Sequence, residues 1–179
     1  MKYLVVLLIT IFSCVSQASQ ETAESLVLRK SYPIQLYMGA CVTSRAQPSQ
    51  VESQAKEMGF IEAEGEVARQ YLQGHKGKVW VSSNEHGNFS IAAQDRGLCS
   101  IFIHQGNPEQ LIASMEAWLP PEGSGFSYKK EIVSKSGSLK TTSYKIFRGT
   151  KLMELWVISL SSQANSKLVA IMSYDTSQT

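Results

Sequence analysis

Residues 126–174 read FSYKKEIVSKSGSLKTTSYKIFRGTKLMELWVISLSSQANSKLVAIMSY, and this stretch decides the fold. It divides into four strand candidates, Phe126–Ser134, Leu139–Phe147, Leu152–Leu160 and Lys167–Tyr174. The turns between them, Lys135–Ser138, Arg148–Lys151 and Ser161–Ser166, are only a few residues long. Connections this short join antiparallel neighbours, because a parallel pair needs a long crossover. The C-terminal third therefore reads as a β-meander.

Working outward, Asn107-Pro108-Glu109-Gln110 opens the best-marked helix in the chain. Asn can cap the first free N–H groups, and Pro suits the first helical position. Leu111, Met115 and Trp118 form its inner stripe, Ile112 and Leu119 flank it, and Pro120-Pro121 ends it. Three more strands precede this helix. Lys78–Ser83 and Phe89–Ala93 flank a His86-Gly87-Asn88 turn, and Leu98–His104 follows Asp95-Arg96-Gly97. Further upstream the apolar period becomes helical. Ile34, Tyr37, Met38, Cys41 and Val42 share one face of a helix over Tyr32–Val42. A second helix begins at Pro48-Ser49, with Ser49 and Glu52 as a capping box and Val51, Ala55 and Met58 inward. A third covers Gly65–Gln73 with Val67, Tyr71 and Leu72 inward, and the alternating Glu62, Glu64 and Glu66 read as its solvated side. The expected class is α+β: N-terminal helices, an antiparallel sheet of about six to seven strands, one main helix (about 107–119) packed on it, and a closing meander.

The N-terminus has the layout of a secretory signal peptide. Met1-Lys2 is a short positive start, Tyr3–Phe12 is uncharged and apolar, and Ser16-Gln17-Ala18 offers small residues for cleavage after Ala18. The apolar run is about ten residues, short of the ~20 a membrane-spanning helix needs. Residues 1–18 are thus expected as signal peptide, 19–30 as a flexible lead-in and 31–179 as one α+β domain. Cys14 offers an alternative: Ile11-Phe12-Ser13-Cys14 loosely matches a bacterial lipidation motif, with Phe12 the departure from it.

Removal of the signal leaves two cysteines, Cys41 and Cys99. An even pair in an exported chain reads as one disulfide, tying the first helix to a central strand. Their spacing matches neither a CxxC redox motif nor a zinc ligand set. Cleavage removes Lys2 and no acid from 17 Lys+Arg and 15 Asp+Glu, leaving a charge near +1. That balance makes no electrostatic case for nucleic acid or an anionic membrane.

Spacing rules for catalysis find little. His75, His86 and His104 are scattered, and none has the i, i+4 partner of a helical metal site. Gly-x-Ser-x-Gly, GxGxxG and GxxxxGK[ST] are all missing from the chain. Asp occurs only at Asp95 and Asp175, which limits Ser-His-Asp arrangements. No cofactor is called for. The aromatics Trp80, Phe102, Trp118, Phe126, Tyr128, Tyr144, Phe147 and Trp156 suit a core. Trp80, Phe102, Trp118, Tyr144 and Trp156 would line an apolar cleft if the main helix packs loosely on the sheet.

The signal peptide, the early helix with Cys41, Gly77-Lys78-Val79-Trp80-Val81, Cys99-Ser100-Ile101 and the helix ending in Trp118-Leu119 together carry a likeness. On these features the chain resembles a family of short exported proteobacterial proteins of uncharacterised function with a two-cysteine α+β domain. The resemblance implies a periplasmic domain with one disulfide and no assigned catalytic residue.

Three functional expectations follow. The first is a periplasmic or secreted, non-catalytic module that binds an envelope protein or a small apolar ligand, the exposed edge of the C-terminal meander being one place for a partner strand. The second is an enzyme whose site assembles from distant residues around His104, at a strand end beside a helix start. The third is an envelope module tethered to lipid through Cys14.

Overall fold

The computed structural model describes residues 31–163 and 166–177. The signal peptide, the lead-in and Cys14 lie outside the described residues. The class is α+β. Eight antiparallel strands form one sheet in the order β1-β2-β3-β4-β8-β7-β6-β5. They are β1 (Ile61–Ala63), β2 (Gly77–Asn84), β3 (Gly87–Gln94), β4 (Leu98–Ile103), β5 (Ser127–Ser136), β6 (Leu139–Arg148), β7 (Lys151–Ser161) and β8 (Ala170–Asp175). Two four-stranded meanders thus join through their last strands, β4 and β8, along the register Leu98↔Asp175 to Ile103↔Ala170. The C-terminal meander matches the expectation, and the short turns explain it: Gly137 and Gly149 take φ of 55° and 60°, conformations costly for other residues.

The sheet has one strand more than expected. Ile61–Ala63 pairs with β2, setting Glu62 opposite Trp80. Three residues are too few to show a period of two, so β1 was hidden beneath the helical reading of its glutamates.

The helices are α1 (Tyr32–Tyr37), α2 (Pro48–Glu57), α3 (Gly65–Leu72) and α4 (Pro108–Glu116). Asn107 caps α4 as expected, its Oδ1 accepting from the N–H groups of Glu109 at 2.8 Å and Gln110 at 3.2 Å. The first helix departs from the expected single run over Tyr32–Val42, because Met38–Thr43 is π-helical. A π turn is wider than an α turn, which rotates the following residues. Ala40 and Cys41 are consequently both buried, and Cys41 bonds to Cys99 of β4 with 5.3 Å between Cα atoms. The Ser44 hydroxyl closes the turn by donating to the carbonyls of Ala40 at 2.5 Å and Cys41 at 3.1 Å. The expected Ser49–Glu52 capping box is not formed. Pro48 occupies the first helical turn, the cap falls on Gln47 without a side-chain bond, and Glu52 pairs with Lys56 and Lys78 instead.

Strand alternation gives the sheet two faces. One carries Trp80, Ile91, Ile101, Met172, Ile158 and Tyr144, covered by α1, the π turn, α2 and α4 in the main core. The other carries a smaller cluster of Val79, Ala92 and Phe102 beneath Leu72 of α3. Val67, expected inward on α3, is 46% exposed, since this eight-residue helix touches the sheet chiefly through its C-terminal end. Among the described residues no helix is long and apolar enough to cross a membrane.

Candidate functional site

The free edge of β5 is the least conventional surface of the molecule. Among the described residues β5 pairs only with β6 and ends the sheet, so one side of its ten-residue backbone has no strand partner there. The opposite edge, β1, is three residues long. Backbone N–H and C=O groups along an open edge form a template for another strand. Proteins ordinarily protect such edges with lysines and bulges, and β5 has both: Lys129, Lys130 and Lys135, and a register shift between Ile132 and Ser134. It also keeps what such protection usually removes. Six large hydrophobic residues stand exposed among the described residues, and Tyr128, Ile132 and Val133 of β5, with Phe126 just before it, are four of them.

The charges around this edge are lopsided. Residues 127–161, spanning β5 to β7, hold Lys129, Lys130, Lys135, Lys140, Lys145, Arg148 and Lys151 against only Glu131 and Glu154, while the whole chain sums to +2. Cross-strand register puts like charges opposite each other: Lys129↔Lys145, Lys135↔Lys140 and Arg148↔Lys151. Directly opposed like charges weaken a sheet. Glu131 bridges the first pair, 2.7 Å from Lys129 and 3.2 Å from Lys145. Hydrogen bonds from these two lysines hold the Glu131 carboxyl below the usual range. Glu116 of α4 takes up Lys130 and accepts from the Tyr144 hydroxyl. Burial pushes its carboxyl upward, but these two bonds outweigh that and leave it below the usual range. Lys135 and Lys140 form no ion pair among the described residues.

The five aromatics expected to share a cleft are not gathered in one place. Trp80 and Tyr144 are fully buried in the main core. Phe102 is on the opposite face beneath Tyr71. Only Trp118 and Trp156 line a common groove, of about 380 Å³, with Met38, Val42, Phe126 and Met153. Arg45 and Glu154 also border it. Burial raises the Glu154 carboxyl above its usual range, against the opposing effect of the Trp156 indole N–H, which donates to it at 2.9 Å, and of Arg45.

His104 stands just past β4, on the wall of a larger cleft of about 750 Å³ that also takes in Tyr71, Val81, Ser83, Ser90 and Lys167. Its Nδ1 is 2.8 Å from the Lys167 carbonyl oxygen. A carbonyl only accepts, so Nδ1 donates to it, and Nε2 lies 3.3 Å from the Tyr71 hydroxyl. Both ring nitrogens are occupied, and neither bonds to an Asp, Glu or Ser. His86 stacks on Tyr32 with centroids 4.4 Å apart, and His75 sits in the turn after α3. Among the described residues no three His, Cys, Asp or Glu side chains converge as metal ligands.

No family model, no curated protein and no solved structure matches the chain. The sequence reading named the exposed edge of the C-terminal meander as a place for a partner strand, but missed the apolar and basic side chains gathered there, for two reasons. Phe126 and Tyr128 resemble core aromatics until the strand order places them at an edge, where they are 41% and 47% exposed. A net charge near zero also hides a basic segment compensated elsewhere, although the run of lysines through residues 129–151 was visible in the sequence.

Proposed function

We propose that this protein is an exported, non-catalytic interaction module of the cell envelope that takes up an extended segment of a protein partner by adding it as a strand to β5. The observation that carries the reading is a ten-residue edge, unpartnered among the described residues, that retains exposed Tyr128, Ile132 and Val133, with exposed Phe126 just before it. In strand addition the main chain supplies hydrogen bonds and alternate side chains supply specificity, and the alternating aromatic, aliphatic and basic residues of β5 suit both. The buried disulfide and the signal-peptide layout support a periplasmic or secreted location.

The test is selection of a displayed random peptide library on the oxidised protein, followed by hydrogen exchange with and without the selected peptides. Strand addition predicts slowed exchange at amides of Ser127–Ser136, with β1 and the Trp118–Trp156 groove unaffected. Failure to select any binder, or protection confined to the groove, overturns the reading. Protection at the groove would favour a second reading, a small apolar ligand held there, whose supporting observation is the bordering Met38, Met153 and Trp156 side chains.

A further inference from the structure

We infer that the segment received at β5 is acidic: an extended chain in which Asp or Glu residues are interspersed with β-branched residues. This rests on the strand-addition reading and adds the chemistry of the partner. Three cross-strand pairs in the β5–β7 meander are cation against cation, and only Lys129↔Lys145 has an internal carboxylate between its members. Lys135↔Lys140, at the tip of the β5–β6 hairpin, forms no close ion pair among the described residues, although the Lys140 charge is felt at Glu116. An incoming strand would lie beside β5 with its side chains alternating between the two faces. On one face they meet Tyr128, Lys130, Ile132 and, beyond the bulge, Lys135, and on the other Lys129, Glu131 and Ser134, as the β6 partners of these residues establish. Carboxylates on the first face come within reach of Lys130 and Lys135, apolar residues opposite Tyr128 and Ile132 cover exposed surface, and the second face, where Glu131 already holds Lys129, takes uncharged residues. The like-charge opposition, unfavourable in the free protein, becomes complementarity in the complex.

An anionic lipid surface offers the same charge to the same residues. The strand partner is favoured because exposed apolar side chains and lysines run along one backbone edge with free hydrogen-bonding groups, whereas a bilayer has no use for those groups. The experiment uses the oxidised full domain and four synthetic ten-residue peptides at neutral pH. They are an alternating Glu-Val peptide, its Gln-Val and Lys-Val counterparts, and a Glu-Val peptide N-methylated at every residue, so that neither of its backbone edges can donate to β5. Vesicles of phosphatidylglycerol in phosphatidylcholine are a further arm.

The Glu-Val peptide is expected to bind about tenfold more tightly than Gln-Val, and Lys-Val not at all, from a few exposed ion pairs acting together. That difference should vanish at about 0.5 M salt, where exposed charges are screened, and in a variant combining Lys130→Gln, Lys135→Gln and Lys140→Gln. The N-methylated peptide should not bind. Equal affinity for Glu-Val and Gln-Val overturns the acidic partner and leaves strand addition standing. Undiminished binding of the N-methylated peptide, or no binding by any peptide, overturns strand addition itself. Tight vesicle binding that peptides fail to compete reassigns the surface to lipid and overturns both.

Discussion

Replacing both cysteines, Cys41→Ala with Cys99→Ala, tests how the N-terminal helical segment is held on the sheet. The bridge closes a loop of 58 residues. On the chain-entropy model a loop of that length stabilises the folded state by about 4 kcal/mol. Both sulfurs are fully buried, so their loss also leaves a small void costing on the order of 1 kcal/mol. For a chain of this size each kcal/mol moves the melting temperature by about 2–4 °C, giving an expected fall of about 10–20 °C. The segment should nevertheless stay docked. Ile34, Leu36 and Tyr37 are buried, each contributing about 1.5–3 kcal/mol. Tyr37 also packs edge-on against Trp156 at 5.9 Å and donates to the Ser173 carbonyl at 3.1 Å. Local opening should appear first at Arg45 and Ala46, where φ is 51° and 53° and the Arg45 side chain is exposed. The assays are urea or thermal unfolding and timed trypsin digestion at Arg45. A loss below about 1 kcal/mol, or cleavage within β5–β8 before Arg45, would refute this account of the staple.

Further substitutions probe individual features. Ser143 buries a hydroxyl with no hydrogen-bond partner among the described residues, so Ser143→Ala should raise stability by about 1 kcal/mol, measured by urea unfolding; destabilisation would mean the hydroxyl is satisfied. Burial raises the Glu154 carboxyl in the folded protein, so the stability linked to its proton is complete below the unfolded pKa and lost as pH rises through the folded one. Glu154→Gln should therefore melt higher than wild type at neutral pH, with the gain shrinking towards pH 4; a lower melting temperature at neutral pH would contradict it. Gly77 starts β2 at φ 155°, where an added Cβ would stand 2.1 Å from the Ala93 carbonyl oxygen. Gly77→Ala should cost about 1–3 kcal/mol and disturb the β2–β3 pairing, visible as faster amide exchange there, and wild-type stability would rule out that close approach.

The elements most legible in sequence were those specified locally. Asn107-Pro108 carries its cap and its first turn in adjacent residues, and Gly137 and Gly149 mark tight hairpins without help from the rest of the chain. The disulfide was readable because only two cysteines follow the signal segment. Less legible were features set by distant neighbours. The π turn at Met38–Thr43 lets Cys41 meet Cys99 while keeping Ala40 buried, and β1 forms a strand only because β2 is beside it. The expected aromatic cleft dispersed for the same reason: strand parity sends Trp80 and Phe102 to opposite faces, while packing of α4 leaves Trp118 and Trp156 at one groove.

By itself, then, the sequence determined the α+β class, the capped main helix, the C-terminal meander and the cysteine pair, because propensity, capping and turn chemistry act over a few residues. Tertiary structure alone decided that β4 and β8 meet at the centre of the sheet and that β5 is left at its margin. Strand order depends on which surfaces bury one another across the whole chain, and no window of sequence contains that competition. It is this order that turns Phe126, Tyr128 and the lysines of β5 from candidate core and solvated charge into the surface proposed to receive a partner.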